Sequence, residues 1–220
     1  TREKLEVLRR HPVTRISVNP QTMNQETLDL IGRRHTVEQT KEAFLLAREL
    51  GFDNINMDLI VGLPGEAYPQ VERTMQEIAA LGPDSLTVHS LALKRATRLN
   101  LFKDQYRELS FVNSSQIMDM TAEYARRAGM FPYYLYRQKN MAGNFGNVGY
   151  AAPGKEGLYN ILIMEEKQSI LALGAGASTK IVAAADRIDR IENVKDIKSY
   201  IERIDEMIER KRQGLQKYGK

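Results

Sequence analysis

Three short strand-like runs, separated by two stretches of helical periodicity, constrain the first hundred residues more than any other feature. Thr14 to Asn19 alternates, with β-branched Ile16 and Val18 on one side. Asn54 to Val61 is a second strand. It stops at Gly62-Leu63-Pro64-Gly65, a turn that no regular element tolerates. Ser85 to Leu91 is the third. Between the first and second, Asn24 can cap a short helix through Ile31, ended by Gly32. Thr36 with Gln39 three residues on forms a capping box for a longer helix. Ala43, Phe44, Ala47 and Leu50 mark one face of that helix, and Gly51 stands as its C′ residue. A helix from Tyr68 to Leu81, closed by Gly82-Pro83, separates the second strand from the third. Strand, helix, strand, helix, strand with crossovers this long demands parallel pairing. Periodicity does not separate an α/β barrel from a doubly wound sheet, and both stay open on these grounds.

After residue 100 the rhythm changes. A helix is expected over 114–128, with Ile117, Met120, Thr121 and Tyr124 along one side, then an aromatic strand from Tyr133 to Tyr136 and a Gly/Asn-rich run from Gly143 to Gly149. Leu158–Met164 and Ser169–Leu173 read as strands of a hairpin turning at Glu165-Glu166-Lys167. Lys180–Ala184 and Asp186–Ile191 read as a second hairpin. A long helix over 194–215 carries Ile197, Ile201, Ile204, Met207 and Ile208 as its expected buried stripe. Residues 1–100 are thus expected to form an α/β domain and 101–220 an α+β region.

Composition sets exclusions. Cysteine is absent from all 220 residues, so no disulfide, thiol nucleophile or Cys-ligated zinc or iron–sulfur site can form within them. The 32 basic and 28 acidic groups are interleaved, leaving a net charge of +4 and no concentrated nucleic-acid stripe. No run approaches a membrane span, and nothing resembles a signal peptide. A cytoplasmic chain that binds neither nucleic acid nor membrane is expected. It opens on Thr1 inside helix-like spacing (Leu5, Leu8), as expected of a piece of a longer protein. The three histidines have no metal-ligand spacing. His11 is expected in an exposed loop and His35 just before a helix cap, while His89 sits at a strand end.

The segments Arg15-Ile16-Ser17-Val18-Asn19-Pro20-Gln21-Thr22-Met23, Ile31-Gly32-Arg33-Arg34-His35-Thr36 and Gly51 through Gly65, in that order and spacing, resemble the oxygen-independent coproporphyrinogen III oxidase family of radical S-adenosylmethionine (SAM) enzymes. The likeness covers residues 10–92 and resumes at Ala152-Pro153-Gly154-Lys155-Glu156, Asn160, Leu173 to Ser178 and Asn193-Val194. The aromatic stretch Tyr133 to Tyr150 is similar to the coproporphyrinogen dehydrogenase branch. The resemblance implies the second half of a partial (β/α)6 barrel. It also implies oxidative decarboxylation of coproporphyrinogen III to protoporphyrinogen IX, with SAM and a [4Fe–4S] cluster held by a CxxxCxxC loop this chain lacks, so the chain alone is expected to be inactive. No residue here is assigned a catalytic or metal-binding role, and the electron donor is not identified.

The positions matching the family's SAM contacts are Gln21, Arg33, Asp58, Ile60 and Ala92. Asp58 offers an acceptor to ribose hydroxyls or an amino group, and Gln21 offers donor and acceptor. Arg33 can pair bidentately with a carboxylate; a plain surface cation is its alternative. Ile60 and Ala92 offer small apolar surface. Arg95, with Lys94 and Arg98, and Arg137 and Lys139 are candidates for a tetracarboxylate porphyrinogen, which requires cations beside aromatic surface. The family's His-Asn-x-x-Tyr-Trp pattern is reduced to Asn160 in Tyr159-Asn160-Ile161-Leu162-Ile163-Met164. That departure argues against a haem-binding chaperone, the main alternative beside a methylating or cyclopropane-forming radical SAM enzyme. The open strand Thr14–Asn19, with apolar surface around Ile16, Val18, Met57 and Leu59, is expected to drive self-association.

Overall fold

The structure is a computed structural model that describes residues 1–92, 113–137, 141–184 and 187–218. These divide into two compact units, Thr1–Gly157 and Leu158–Lys220. The expected domain boundary near residue 100 lies outside the described residues.

The first unit runs α1 (Arg2–Arg10), β1 (Ile16–Ser17), α2 (Gln25–Leu30), α3 (Val37–Glu49), β2 (Ile55–Val61), α4 (Tyr68–Leu81), β3 (Ser85–Ser90), α5 (Ser115–Arg127), β4 (Phe131–Tyr136) and β5 (Asn147–Ala151). Its sheet has the order β1-β2-β3-β5-β4. The first three strands are parallel and adjacent, as the crossovers require, with Ile16 opposite Ile55 and Asp58 opposite Thr87. β5 and β4 add to β3 antiparallel. The sheet is open and mixed, so no closed barrel forms from the described residues, and the Gly/Asn-rich run leads into strand β5.

Strand alternation decides which face is core. Ile55, Met57, Leu59 and Val61 of β2, Leu86 and Val88 of β3, and Tyr150 of β5 are buried in one cluster with Phe44, Ala47, Met75, Ile78 and Ile117 of the helices. Ile16 and Val18 pack against that same cluster. The four apolar residues expected on an exposed inner face therefore lie on the helix side, and the opposite face carries Asn56, Asp58 and Thr87. This corrects the apolar-face argument for self-association; what remains of it is the β1 edge, which has one strand partner, β2, among the described residues.

Local signals hold the helices in place. In α3 the Thr36 hydroxyl accepts from Gln39 N at 3.1 Å while Gln39 Oε1 accepts from Thr36 N at 3.0 Å, the reciprocal box read from sequence. α4 ends on Gly82 at φ 67°, a left-handed conformation that costs other residues about 1–2 kcal/mol. Arg48 then ties two loops to the lower edge of the sheet. It donates to the carbonyls of Phe52 (3.1 Å) and Gly82 (2.8 Å) and pairs with Asp84 (2.7 Å), whose Oδ2 also accepts from Ile55 N.

The second unit departs further from expectation. Leu158–Met164 is a helix (α6), and of Ser169–Leu173 only Ile170 bridges to Lys180, so the hairpin around Glu165–Lys167 is overturned. Short apolar runs do not distinguish a buried strand from a helix. The second expected hairpin is present as β6 (Ser178–Ala184) and β7 (Arg187–Glu192). The long helix is two, α7 (Ile197–Glu202) and α8 (Ile204–Gln216), parted at Arg203. Of its expected stripe only Met207 is buried; Ile197, Ile201, Ile204 and Ile208 are exposed. Among the described residues no helix is long and apolar enough to cross a membrane.

Replacing Thr36 by Ala removes one half of the capping box. The unfolding free energy is expected to fall by about 1 kcal/mol, measured as a shift in urea midpoint at unchanged slope.

Candidate functional site

The polar face of the sheet is organised by Asn56, which is 3% exposed. Its Nδ2 donates to Asp58 Oδ1 at 2.6 Å and to Ser17 Oγ at 3.3 Å. Its Oδ1 accepts from Ser85 Oγ at 3.1 Å and Thr87 Oγ1 at 3.3 Å. Ser85 in turn accepts from Arg15 Nη2 at 3.0 Å. These residues come from three neighbouring strands, and alternation points them the same way.

Toward the C-terminal end of β2 this face becomes the candidate site. Asp58 Oδ2 lies 3.7 Å from His89 Nε2. Burial alone pushes the Asp58 carboxyl up, but its contacts with His89, Asn56 and Thr87 outweigh that and hold it below the ordinary aspartate value. The group is therefore an anion at neutral pH, with Oδ1 oriented by Asn56. Beside it the chain reaches Gln21, whose N donates to Asp58 O (3.0 Å) and whose O accepts from Ile60 N (2.7 Å). Gln21 has φ 68°, an uncommon conformation for a residue with a side chain.

That conformation is held by a buried clasp just beyond it. Glu66, 1% exposed, accepts from Thr22 Oγ1 at 2.6 Å and Asn24 Nδ2 at 3.0 Å. Thr74 Oγ1 accepts from Met23 N at 3.1 Å. Asn24 stands at the N-cap position of α2 as expected, but its side chain turns into this clasp and makes no cap bond. The loops after β1 and β2 are thereby joined.

Of the residues singled out from sequence, Gln21, Asp58 and Ile60 are brought together along the C-terminal half of β2. Ala92 follows β3 and bridges to Met141. Arg33 is exposed; its segment is tied back to the site loop where His35 Nε2 meets Pro20 O at 3.2 Å. His11 is exposed, as expected. Arg137 is exposed just after β4. Lys94, Arg95, Arg98 and Lys139 lie outside the described residues. Sequence reasoning passed over Asn56, Ser85, Thr87, Arg15 and Glu66. The signal for Asn56 was present: it stands two residues before Asp58 in a strand, hence on the same face.

A family model of the radical SAM superfamily matches residues 1–78. Along 96% of its length the chain is 46% identical to the oxygen-independent coproporphyrinogen-III oxidase-like protein HemZ of Bacillus subtilis, covering 42% of that protein. The chain belongs to the radical SAM superfamily. Within it, the chain is similar to the oxygen-independent coproporphyrinogen III oxidase family. The heme chaperone HemW of B. subtilis is 29% identical over 93% of the chain and half of its own length. The solved structure of Escherichia coli coproporphyrinogen III oxidase (HemN), a radical SAM enzyme, superposes with a TM-score of 0.66 at 22% identity, covering 94% of this chain and 46% of that one. This likeness establishes the shared fold. The chain spans about half the length, or less, of these relatives.

The depressed Asp58 pKa has a calculable sign. Its stabilising effect is complete above the unfolded value of about 3.9 and is lost as pH falls below it through the folded value. The stability difference between the wild type and Asp58→Asn is therefore expected to be largest near neutrality and to shrink below about pH 4, read from urea midpoints across the pH range.

Proposed function

We propose that this chain supplies SAM-contacting residues of a radical SAM enzyme that converts coproporphyrinogen III to protoporphyrinogen IX by oxidative decarboxylation. The observation that carries the reading is the Asp58 carboxylate, held ionised at the middle of β2 beside the backbone-locked Gln21, on the face that leads to the C-terminal end of the strands. Active sites of α/β barrels lie at that end of the strands.

The residues present fit SAM. Asp58 accepts hydrogen bonds from ribose hydroxyls or the amino group, and its negative charge complements the sulfonium. Gln21 offers an amide at a fixed position, and Ile60 and Ala92, both half-buried, give the adenine an apolar edge. Arg33, on the exposed segment tied to Pro20, pairs with the SAM carboxylate. When bound, SAM supplies the 5′-deoxyadenosyl radical chemistry of the superfamily.

The residues do not fit a [4Fe–4S] cluster. The chain has no cysteine, and no group of three or more His, Cys, Asp or Glu among the described residues could hold a metal ion. The cluster ligands must come from outside this sequence, and the chain by itself does not carry out the reaction.

The similarity to HemW supports a second reading, a haem-binding chaperone. Against it stands the stretch 158–164, a helix that keeps Asn160 alone of the His-Asn-x-x-Tyr-Trp pattern. Tight haem binding in a titration would favour the chaperone.

With part of the pocket present, SAM is expected to bind more weakly than about 1 mM, roughly 4 kcal/mol. In an isotope-labelled sample, the amides of Gln21, Asp58, Ile60 and Ala92 should shift on titration, and Asp58→Ala should abolish the saturable shifts. Micromolar binding, or shifts confined to other residues, would overturn the assignment.

A further inference from the structure

Successive residues of a β-strand point to opposite faces, so adjacent tyrosines should not share one. In β4 they do. Pro132 pairs with Tyr150 and Tyr134 with Gly149, leaving Tyr133 as the extra residue of a β-bulge. Bulges of this kind re-aim side chains and are frequent beside active sites.

Pairing identifies the face. Gly149 of β5 stands opposite Thr87 of β3 and opposite Tyr134 of β4, so all three share the face that carries Asn56 and Asp58. The next residue, Tyr150, is buried with the helices on the other side. A β-carbon at Gly149 would lie 2.0 Å from Tyr134 Cε1 and 3.0 Å from Tyr133 Cε1. Both rings thus lie over the glycine, in edge-to-face contact with centroids 4.9 Å apart. Tyr134 reaches the Thr87 hydroxyl, within the electrostatic range of Asp58 and Arg15, and burial raises its phenol pKa. A bulge, a glycine and a hydroxyl partner together place two half-buried rings next to the candidate site. Hydrophobic packing does not require this, because the cluster of helices and sheet lies on the opposite face.

We propose that Tyr133 and Tyr134 form a substrate-positioning wall that takes a pyrrole ring of an anionic tetrapyrrole, with Gly149 as the recess that leaves room for the two rings. The inference rests on the porphyrinogen reading above and adds the residues that orient the ring. The chemistry matches on two counts. Tyrosine faces suit a flat apolar ring. Guanidinium groups suit its carboxylate arms: Arg15 lies within electrostatic range of Tyr134, and Arg137 is exposed directly after β4.

The test titrates the chain with coproporphyrin III, the fluorescent oxidised tetracarboxylate, and follows porphyrin emission. Gly149→Ala, which must push the Tyr134 ring aside, and Tyr134→Leu are each expected to weaken binding roughly ten-fold. Tyr134→Phe, which keeps the ring, should change it less than about three-fold. SAM-induced shifts at Gln21 and Ile60 should persist in Tyr134→Leu, separating loss of the wall from loss of the fold. Unchanged porphyrin affinity in both Gly149→Ala and Tyr134→Leu overturns this inference alone. So does a loss of SAM shifts in Tyr134→Leu without a change in porphyrin affinity, which would assign the wall to the adenine. Absence of saturable porphyrin binding by the wild-type chain overturns the substrate reading and this inference with it.

Discussion

The Asn56 side chain is the interaction on which the polar face depends. A primary amide has two donors and an acceptor with two lone pairs. Here it binds Ser17 on β1, Asp58 on its own strand, and Ser85 and Thr87 on β3. A hydrophobic residue at 56 would leave Ser85, Thr87 and Asp58 to find partners on a half-buried surface. Each buried polar group left without one costs about 1–3 kcal/mol. A single amide thus fixes the relative position of three strands and the orientation of the carboxylate at the site end.

The site is built on a division of labour between the two faces of one sheet. The helix side is apolar, with Met57, Leu59, Leu86 and Val88 each at most 1% exposed. Removing the side chain of any of these would cost about 2–5 kcal/mol, a large part of a typical 5–15 kcal/mol total. Because that side supplies the stability, the other face is free to carry charge. Backbone strain at the site falls on Gln21. Gln21 is held at φ 68° by in-register bonds to Asp58 and Ile60 and by the clasp of Thr22, Asn24, Glu66 and Thr74 beyond it.

The second unit shows where reading a sequence reaches its limit. Ile197, Ile201, Ile204 and Ile208 recur at helical spacing, which correctly indicates helix but says nothing about what covers the stripe. In the structure α8 turns Met207 and Lys211 inward. Burial holds the Lys211 ammonium below the usual lysine pKa, and its Nζ donates to Asn193 Oδ1. Asn193 Nδ2 donates in turn to the carbonyl of Gly174, at 2.7 Å. A buried lysine on a polar helix carries no periodic signature. The run Leu158–Met164 is ambiguous for a related reason: six of its seven residues are apolar or aromatic and none is charged, which satisfies either period.

The sequence by itself determined the parallel order of the first three strands, the helices between them and their caps. Those features follow from local rules, namely side-chain periodicity, a reciprocal Thr36–Gln39 bond, and glycines at positions that need positive φ. The absence of thiolate ligands followed from composition alone, and the resemblance to the family's motifs pointed to Gln21, Asp58 and Ile60, which the fold places side by side. Tertiary structure alone decided that Asn56, Thr87 and Tyr134 meet, that Met57 and Leu59 face helices and not a barrel interior, and that two successive tyrosines share a face. Each of these depends on which residues stand opposite each other across strands far apart in sequence. A bulge of one residue in β4 was enough to change that register, and the chain beforehand carries no local mark of it.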